Sequence, residues 1–406
     1  MNSDYKILND PVYGFTTLPF GILYDIVEHP YFQRLRRIKQ VGLSHLVYPG
    51  AVHTRFQHAL GALHLTRKAI EVLQSKQVNI SEEEAEGVQL AILLHDIGHG
   101  PYSHALEGHF IPVPHERLTL AYMHRLNETF DGALDLAIKI FKNEYHKTFL
   151  HQLVSGQLDM DRMDYLIRDS YYTGVAEGVI GYDRIIKMLN VYEGELVVEE
   201  KGIYSIEKFL LSRKLMYWQV YLHKTALSAE KMLVRLFQYF KKSHRSSPIQ
   251  PTRAFEYFLE FQWSEEGPKD ISEAMLRNHA QLDDTDVDVW IKSMIDSTNP
   301  VLSVLSKGLT YRNLFRVYLQ KEPFSDADVQ KIIRDLKSQS SPSVAAIISQ
   351  LIIQGSETNR LYNEQSPEIK ILMKGGKIQP LSLETDAKLD TQLLKRYYLC
   401  HPKLIN

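Results

Sequence analysis

Residues 91–104 read AILLHDIGHGPYSH, and both the fold and the chemistry expected of the chain follow from this stretch. An apolar run stops at the adjacent pair His95-Asp96, and glycines, a proline and further histidines come directly after it. Burying an ionised carboxylate without a partner costs several kcal/mol even after relaxation. Other residues of the chain must therefore satisfy this histidine and this aspartate.

The stretch closes a helix that the sequence predicts for residues 81–95, SEEEAEGVQLAILLH. Ser81 and Glu84 have the spacing of a capping box, and the segment then becomes apolar on all sides, which is typical of a central buried helix. Apolar residues at helical spacing predict further helices over 31–42, 53–75, 159–174 and 207–240.

Two short β elements interrupt the helices. β-branched runs on either side of Lys201-Gly202 predict a hairpin in residues 195–206, and Gly375-Gly376 marks the bend of a second in residues 368–384. We therefore expect a mostly α fold, with a helical bundle, a short β-hairpin, and a C-terminal helical and small α+β region. The expected parts are a core over 1–240, a loop or linker over 241–252, a helical region over 253–360 and a small α+β part over 361–406.

The composition restricts the class of protein. With 406 residues, 44% hydrophobic and 24% charged, the chain has the make-up of a soluble protein with more than one packed region. A net charge of −2 gives no basic excess for nucleic acid, and the one cysteine, Cys400, excludes an internal disulfide. There is no signal-peptide pattern, and no apolar stretch reaches the roughly 18 residues of a membrane helix. We expect a cytoplasmic protein without a membrane partner.

Three separated segments offer groups that could join the opening pair on a metal ion. They contain His58 in RFQHALG, His95-Asp96 itself, and Asp161 in QLDMDRMDY. Adjacent side chains on a helix point about 100° apart, so His95 and Asp96 converge only where a helix ends. Two imidazoles and two carboxylates suit manganese, iron, nickel, zinc or, less well, magnesium. The alternative is a capped helix end with a hydrogen-bonded histidine.

Several motifs occur in a fixed order along the first part of the chain. They are NDPVYGF at 9–15, YPGAVHTRFQHALG at 48–61, LLHDIGHGPYSHALEG at 93–108, HE at 115–116, DMDRMDYLIRDSYYTGV at 159–175 and YLHK at 221–224. Together they resemble the HD phosphohydrolase superfamily and, within it, the deoxynucleoside triphosphate triphosphohydrolases. The resemblance spans residues 4 to about 235. It implies one divalent ion on His58, His95, Asp96 and Asp161, and a second magnesium ion carried by the triphosphate is a further expectation.

The resemblance also assigns catalytic residues. His115, beside Glu116, matches the family's catalytic histidine and would protonate the leaving 5′-oxygen, as a histidine held by a carboxylate does near neutral pH. His99 and His104 would face the phosphates. The alternative for these two is a surface or helix-capping histidine.

Further residues match the family's substrate-binding positions, namely Gln40, Arg55, Arg162, Tyr165, Asp169, Arg213 and Tyr221. The arginines would bind phosphate oxygens, for which a planar guanidinium is well suited. In the family, Gln40, Tyr165 and Asp169 match positions that contact the deoxyribose, and Tyr221 matches one that excludes ribose. Solvated ion pairs for the arginines and a core position for Tyr165 are the alternatives.

Three positions of the expected substrate pocket depart from the family pattern. Arg162 stands where the family has a lysine, Leu222 where the animal members have a glutamine, and Tyr217 where they have a histidine. Loss of polar contacts redirects base choice rather than abolishing the chemistry. We therefore expect the base side of the pocket to differ.

The resemblance extends to a second, activating nucleotide site. Lys6, Glu28, Gln33 and Arg36 fall where the animal members bind a guanine nucleotide between subunits, with Glu28 in place of an aspartate. Such a site implies an activating GTP or dNTP and a homo-oligomer, a dimer or tetramer. The alternative is that this basic face is solvated surface.

The function expected from the sequence is metal-dependent hydrolysis of dNTPs, with dGTP first, to deoxynucleoside and triphosphate. Action on nucleoside monophosphates or signalling nucleotides, and nucleotide sensing without hydrolysis, stay open. A third alternative is binding of single-stranded nucleic acid by KKSHRSSP, residues 241–248, with Tyr239 and Phe240.

Overall fold

The computed structural model describes residues 5–243, 251–261, 270–360, 368–385 and 393–403. The expected mostly α fold class is confirmed. Of the loop expected over 241–252, residues 244–250 lie outside the described residues. In the described ranges, no helix combines the length and the apolar character needed to cross a membrane.

The first part of the chain forms the helices that carry the candidate site. They are α1 Ile22–Glu28, α2 Pro30–Gln33, α3 Arg55–Ser75, α4 Glu82–Leu94, α5 Ser103–Leu106, α6 His115–Thr129, α7 Asp135–Phe141, α8 Thr148–Val154, α9 Met160–Thr173, α10 Tyr182–Lys187, α11 Ile203–Met216 and α12 Lys224–Ser243. A π-helical turn over Tyr217–Tyr221 lies between α11 and α12.

Helices α3, α4 and α9 pack together in a first hydrophobic core. The predicted capping box begins α4, since the side chains of Ser81 and Glu84 each accept from the other's backbone N–H. Gly174, with φ +74°, ends α9. Gly61 allows α3 and α9 to approach closely, because an added Cβ would lie 2.0 Å from Asp164 Oδ1.

The later helices surround a second core. They are α13 Arg253–Glu260, α14 Glu273–His279, α15 Asp284–Ser293, α16 Pro300–Thr310, α17 Asp326–Ser338, α18 Pro342–Ala345, α19 Ile348–Leu351 and α20 Leu381–Glu384. Phe110, from the segment between α5 and α6, packs there against Phe237, Phe255 and Phe258. Phe240 is fully buried against Trp290 in the same core, so it cannot stack on a nucleic-acid base.

Three small sheets complete the fold of the described residues. Their strands are β1 Tyr5–Asp10, β2 Gly14–Pro19, β3 Leu189–Tyr192, β4 Glu195–Glu199, β5 Arg316–Gln320, β6 Ile353–Arg360, β7 Lys370–Leu372, β8 Ile378–Pro380 and β9 Leu393–His401. The strand orders are β1-β2, β3-β4-β7-β8 and β5-β9-β6. All neighbours are antiparallel except β4 and β7, which are parallel.

The first predicted hairpin has its turn at a different place. β3 and β4 are joined at Glu193-Gly194, where φ is +50° and +81°. Positive φ at both central residues gives the turn whose twist matches that of the strands. Lys201-Gly202 lies instead in a 3-10 turn that leads into α11. The strand predicted after Gly202 was therefore wrong.

The helix predicted over 31–42 is shorter than expected. After α2 a 3-10 turn spans Arg34–Arg37, and Ile38 is extended with φ −120°. The chain then turns toward the residues before α3, where Gln40 N donates to His53 O at 2.9 Å. This pairing brings Gln40 to the N-terminal end of α3, where the candidate site lies.

Strands β1, β2, β5 and β6 are not predicted from local patterns, and β5 and β6 interrupt the region expected to be helical over 253–360. Both pair with β9, which lies far from them in sequence, so neighbouring residues give no sign of the pairing. The second predicted hairpin, β7-β8, is present with φ +78° at Gly376. Residues 361–406 therefore contribute strands to two sheets that also contain earlier residues.

Candidate functional site

Ligand atoms from three residues converge where the start of α3, the end of α4 and the first turn of α9 meet. His58 Nε2 lies 3.1 Å from Asp161 Oδ1 and 3.3 Å from His95 Nε2. His95 Nε2 lies 3.4 Å from Asp161 Oδ1. Since these atoms are so close to one another, one metal ion could contact all three.

Both imidazoles turn Nε2 toward this point, because Nδ1 of each ring is bonded elsewhere. His58 Nδ1–H donates to Asp164 Oδ2 at 2.8 Å, and His95 Nδ1–H donates to the carbonyl oxygen of Ile92 at 2.6 Å. Two ring nitrogens and a carboxylate oxygen this close together require a cation among them, either a proton or a metal ion. Burial lowers the pKa of His58, but its hydrogen bonds to Asp161 and Asp164 outweigh burial and raise it to about 10. A divalent ion would take the place of that proton, so these residues fit a metal site.

A buried ion network fixes the orientation of His58. The Asp164 carboxylate accepts from Arg168 Nε at 2.9 Å and Nη2 at 3.0 Å, in addition to His58. Arg168 Nη1 in turn donates to Asp10 Oδ2 at 2.8 Å. Burial raises the pKa of Asp164, but Arg168 and His58 outweigh it and lower the pKa below its usual value. The ionised carboxylate therefore holds the ring nitrogen that faces away from the ligand atoms.

Asp96 has a different set of partners. Arg55 Nη1 donates to Asp96 Oδ2, and His99 Nε2 lies 3.2 Å from Asp96 Oδ1. Burial raises the pKa of Asp96, but His95, His99 and Arg55 hold it well below its usual range. Asp96 Oδ1 lies 3.4 Å from His95 Nε2 and Asp96 Oδ2 lies 3.8 Å from His58 Nε2, so this carboxylate borders the three convergent atoms.

His115, the first residue of α6, is held by Glu107. Its Nδ1 lies 3.0 Å from Glu107 Oε2, whereas its Nε2 lies 3.5 Å from Glu116 Oε1, whose side chain is 63% exposed. The His115 ring stacks on His99 with centroids 3.8 Å apart. Burial lowers the pKa of His115, but Glu107 outweighs burial and raises it. The side chain of His104, in α5, lies outside the described part of the structure.

The α9 face that carries Asp161 continues through Tyr165 and Asp169. Asp169 is buried, and its two oxygens bond to Tyr221 Oη at 2.5 Å and to His53 Nε2 at 2.7 Å. The rings of Tyr165 and Tyr221 meet edge to face, with centroids 6.3 Å apart. The structure thus brings a carboxylate and two aromatic rings together beside the ligand atoms.

Two arginines surround Tyr165. Arg162 and Arg213 both lie near enough to the Tyr165 hydroxyl to interact with it electrostatically. Arg162 Nε also donates to the Asp159 carboxylate at 3.1 Å, and Arg213 Nη1 donates to Gln157 O at 3.4 Å. Burial lowers the pKa of Arg213, which marks a cation that an anionic ligand would stabilise.

Comparison with known proteins agrees with this geometry. The HD domain family model matches residues 55–168, and the HD associated region matches residues 180–275. A crystal structure of a phosphohydrolase from Bacteroides thetaiotaomicron is 46% identical, covers 98% of this chain and 100% of its own, and superposes with a TM-score of 0.91. The chain belongs to the HD-domain phosphohydrolase family.

The curated relatives of this HD phosphohydrolase include both uncharacterised and named proteins. The uncharacterised protein YwfO of Bacillus subtilis is 30% identical over 79% of this chain and 73% of its own length. The human deoxynucleoside triphosphate triphosphohydrolase SAMHD1 is 30% identical over 57% of this chain and 44% of its own. The Dictyostelium discoideum SAMHD1 homolog is 32% identical over 57% of this chain and 49% of its own. The chain spans about half the length of these last two relatives.

The sequence does not single out several residues that shape the HD site. They are Glu107, Asp164, Arg168 and His53. Asp164 and Arg168 follow Asp161 at i+3 and i+7 on α9, and this helical spacing is a signal that could have found them. Glu107 and His53 have no such signal, because packing of distant segments decides what they contact.

The four residues expected at an activating site of this HD phosphohydrolase form two separate pairs. Lys6 Nζ lies 3.4 Å from Glu28 Oε1, and Arg36 Nε donates to Gln33 Oε1 at 2.8 Å. The Arg36 guanidinium also covers the Phe56 ring at 3.6 Å. Each polar group already has a partner within the chain, and the activating site stays a prediction.

Proposed function

We propose that this HD phosphohydrolase hydrolyses deoxynucleoside triphosphates, with dGTP first, to deoxynucleoside and intact triphosphate. The observation that carries the proposal is the order of groups along α9. Asp161 stands at the convergent ligand atoms, Tyr165 lies between two arginines, and Asp169 is held by Tyr221. A metal ion, a phosphate chain and a sugar would meet these groups in that order. The names of the SAMHD1 relatives support the same substrate class.

We assign one divalent ion to His58, His95 and Asp161, with Asp96 as the fourth ligand. Bound there, the ion would supply Lewis-acid stabilisation of the α-phosphate and a nucleophile at neutral pH. Manganese, iron, nickel and zinc suit this nitrogen and oxygen set better than magnesium, which would accompany the triphosphate. The Asp164 carboxylate keeps the His58 ring turned toward the ion.

The chain's own residues would bind the triphosphate and supply the proton. Arg162 and Arg213 neutralise the phosphate oxygens around Tyr165, and Arg55 beside Asp96 adds a third guanidinium. His115, whose Nδ1 is held by Glu107 and whose pKa this carboxylate raises against the effect of burial, would deliver its Nε2 proton to the leaving 5′-oxygen. His99 stacks on this ring and limits its motion.

The sugar would be recognised by buried acceptors and one aromatic ring. Asp169 and the side-chain oxygen of Gln40 would accept from the 3′-hydroxyl. The Tyr221 ring would occupy the space that a 2′-hydroxyl requires, and its bond to Asp169 fixes the ring there. Ribonucleotides are then excluded by contact rather than by charge.

Product analysis tests the proposal. The manganese-loaded protein is incubated with all four dNTPs, with and without GTP, and products are resolved by ion-exchange chromatography beside a chelator control. Deoxynucleoside plus intact triphosphate is the expected outcome, with dATP consumed faster than ATP. Monophosphate plus pyrophosphate, or stepwise phosphate loss, would contradict the proposed substrate pose. Absence of turnover in every mixture would favour a nucleotide sensor.

The proposal includes assembly and activation. An activating GTP or dNTP bound near Lys6, Glu28, Gln33 and Arg36 would couple to a homo-oligomer, either a dimer or a tetramer. Sedimentation with and without GTP measures the assembly. A monomer whose turnover GTP does not change would contradict both parts.

A further inference from the structure

One carboxylate beside the site has no role in the scheme above. Glu230 lies on α12 and lines a small cavity together with Gln40 and Ser103. Ser103 Oγ accepts from Arg55 Nη2 at 3.2 Å, and Arg55 also binds Asp96. The cavity therefore adjoins the catalytic centre on the side of the second core.

Glu230 has no hydrogen-bond or ion-pair partner among the residues that the structure describes. The neighbouring Lys231 forms an ion pair with a different carboxylate. Its Nζ lies 2.5 Å from Glu357 Oε1 and 5.2 Å from the centre of the Tyr398 ring. Burial raises the pKa of Glu230 to about 7; Lys231 opposes this and Glu357 adds to it. Glu230 is partly buried, and a carboxylate at such a position without a protein donor is stabilised by a ligand that brings one.

The side chains that line the cavity include hydrogen-bond acceptors without a donor among the described residues, whereas the Lys39 ammonium, a donor, is already bonded. Gln40 Oε1 is buried, and no described residue donates to it. The Lys39 ammonium, which also lines the cavity, is bound to Tyr102 Oη at 3.3 Å and Asp284 Oδ2 at 3.4 Å. The cavity has room for about one water-sized group, such as the exocyclic amino group of a base.

Two further residues connect Glu230 to the base side of the substrate pocket. Tyr217 lies one helical turn before Tyr221, and the charges of Glu230 and Glu357 act on its hydroxyl. Leu222, which stands where animal members have a glutamine, is buried in the second core and offers no polar contact. A charged group that could contact a base therefore comes from α12.

We propose that Glu230 contacts the nucleobase of the substrate and selects guanine. The proposal rests on the proposed function, because the base arrives as part of a dNTP. Guanine presents N1–H and an amino group side by side, and the two oxygens of one carboxylate accept both bonds. Adenine and cytosine present an amino group beside an acceptor, and thymine presents one N–H between two carbonyls. These bases would leave one oxygen of Glu230 unpaired or facing another acceptor.

The test compares kcat/KM for dGTP, dATP and dITP, which lacks the 2-amino group. We expect the native enzyme to prefer dGTP to both by about 10-fold or more. Glu230→Gln keeps the size of the side chain but replaces one acceptor by a donor, so the dGTP:dATP ratio should fall about 10- to 100-fold. Glu230→Asp keeps the charge on a side chain that is one methylene shorter. The dGTP:dATP ratio should therefore fall by less than in Glu230→Gln.

Glu322→Gln, at an exposed carboxylate, is the matched control and should leave the ratio unchanged. Equal ratios in the native enzyme, Glu230→Gln and Glu230→Asp, with turnover intact, would overturn the base assignment alone. Native discrimination against dATP but not dITP would also overturn it, because the amino group would then carry no recognition. Absence of turnover with every dNTP, with or without GTP, would overturn the proposed function, and the base assignment with it.

Discussion

Glu107 Oε2 lies 3.0 Å from His115 Nδ1, so a carboxylate that precedes α6 holds the first residue of that helix. The bond occupies Nδ1 and leaves Nε2 as the nitrogen that can exchange a proton with a ligand. The charge of this carboxylate and its hydrogen bond favour the protonated ring, so the pKa of His115 is raised although burial lowers it. The pair is therefore suited to general acid chemistry.

Glu107→Gln should move the alkaline limb of the pH–rate profile to lower pH. His115 must be protonated to act as an acid, and the substitution removes the charge that raises its pKa. Activity should therefore fall several-fold more at pH 8 than at pH 6. The measurement is kcat/KM for dGTP across pH 5.5–9 with saturating manganese.

Glu116→Gln is the control for this prediction, because its carboxylate is mostly exposed and lies farther from the ring. Its alkaline limb should shift by less than that of Glu107→Gln, because Glu116 also raises the pKa of His115 but contributes less than Glu107. If Glu107→Gln lowered activity equally at every pH, Glu107 would be a structural residue and not one that tunes the acid.

Asp161→Asn should remove both bound metal and activity. The carboxylate supplies one of three convergent ligand atoms and its negative charge balances the ion, so metal affinity should fall by about 100-fold or more. Metal content after dialysis, measured by plasma mass spectrometry, checks this directly. Asp183→Asn, which breaks an exposed pair with Lys68, should keep the native metal content. Full metal content in Asp161→Asn would refute the ligand assignment.

Tyr221→Ala should relax discrimination against ribonucleotides. Removing the ring opens the space beside Asp169, so the ratio of dATP to ATP turnover should fall about 10-fold or more. Tyr221→Phe keeps the ring but loses the bond to Asp169, and it should retain most of the discrimination. The measurement is kcat/KM for both nucleotides in each variant. Ribose exclusion that survives in Tyr221→Ala would place the selective contact elsewhere.

Local sequence predicts the parts of this molecule whose causes are local. The capping box at Ser81 begins α4, Gly174 ends α9, and helical spacing puts Asp161 and Asp169 on one face of α9. Each of these depends on residues within a few positions of one another. The mostly α class follows from the same short-range patterns.

The sheet pairings and several contacts of the site depend on residues that are distant in sequence. β9 lies between β5 and β6, and β7 extends the sheet of β3 and β4, although no local pattern shows either pairing. The same reason explains why Glu107, and not the adjacent Glu116, holds His115. Residue order predicts which groups can reach a site, whereas tertiary packing decides which of them make contact.

Gly61→Ala should destabilise the fold and weaken metal binding together. The added Cβ would lie 2.0 Å from Asp164 Oδ1 and 2.2 Å from Arg168 Nη2, so α3 and α9 would have to separate. Overpacking of this kind costs about 1–3 kcal/mol of the free energy of unfolding. Because His58 is on α3 and Asp161 is on α9, the same separation pulls two ligand atoms apart. Urea unfolding and metal titration measure the two effects.

Gly181→Ala is the matched control, since an added Cβ there meets no heavy atom within 4 Å and the backbone φ of −82° suits alanine. It should leave both stability and metal affinity close to native. A Gly61→Ala protein that lost stability but bound metal normally would show that the ligand geometry tolerates movement of α3. Native stability and native metal affinity in that variant would mean that the ion network of Asp164 and Arg168 rearranges freely, and that it does not fix His58.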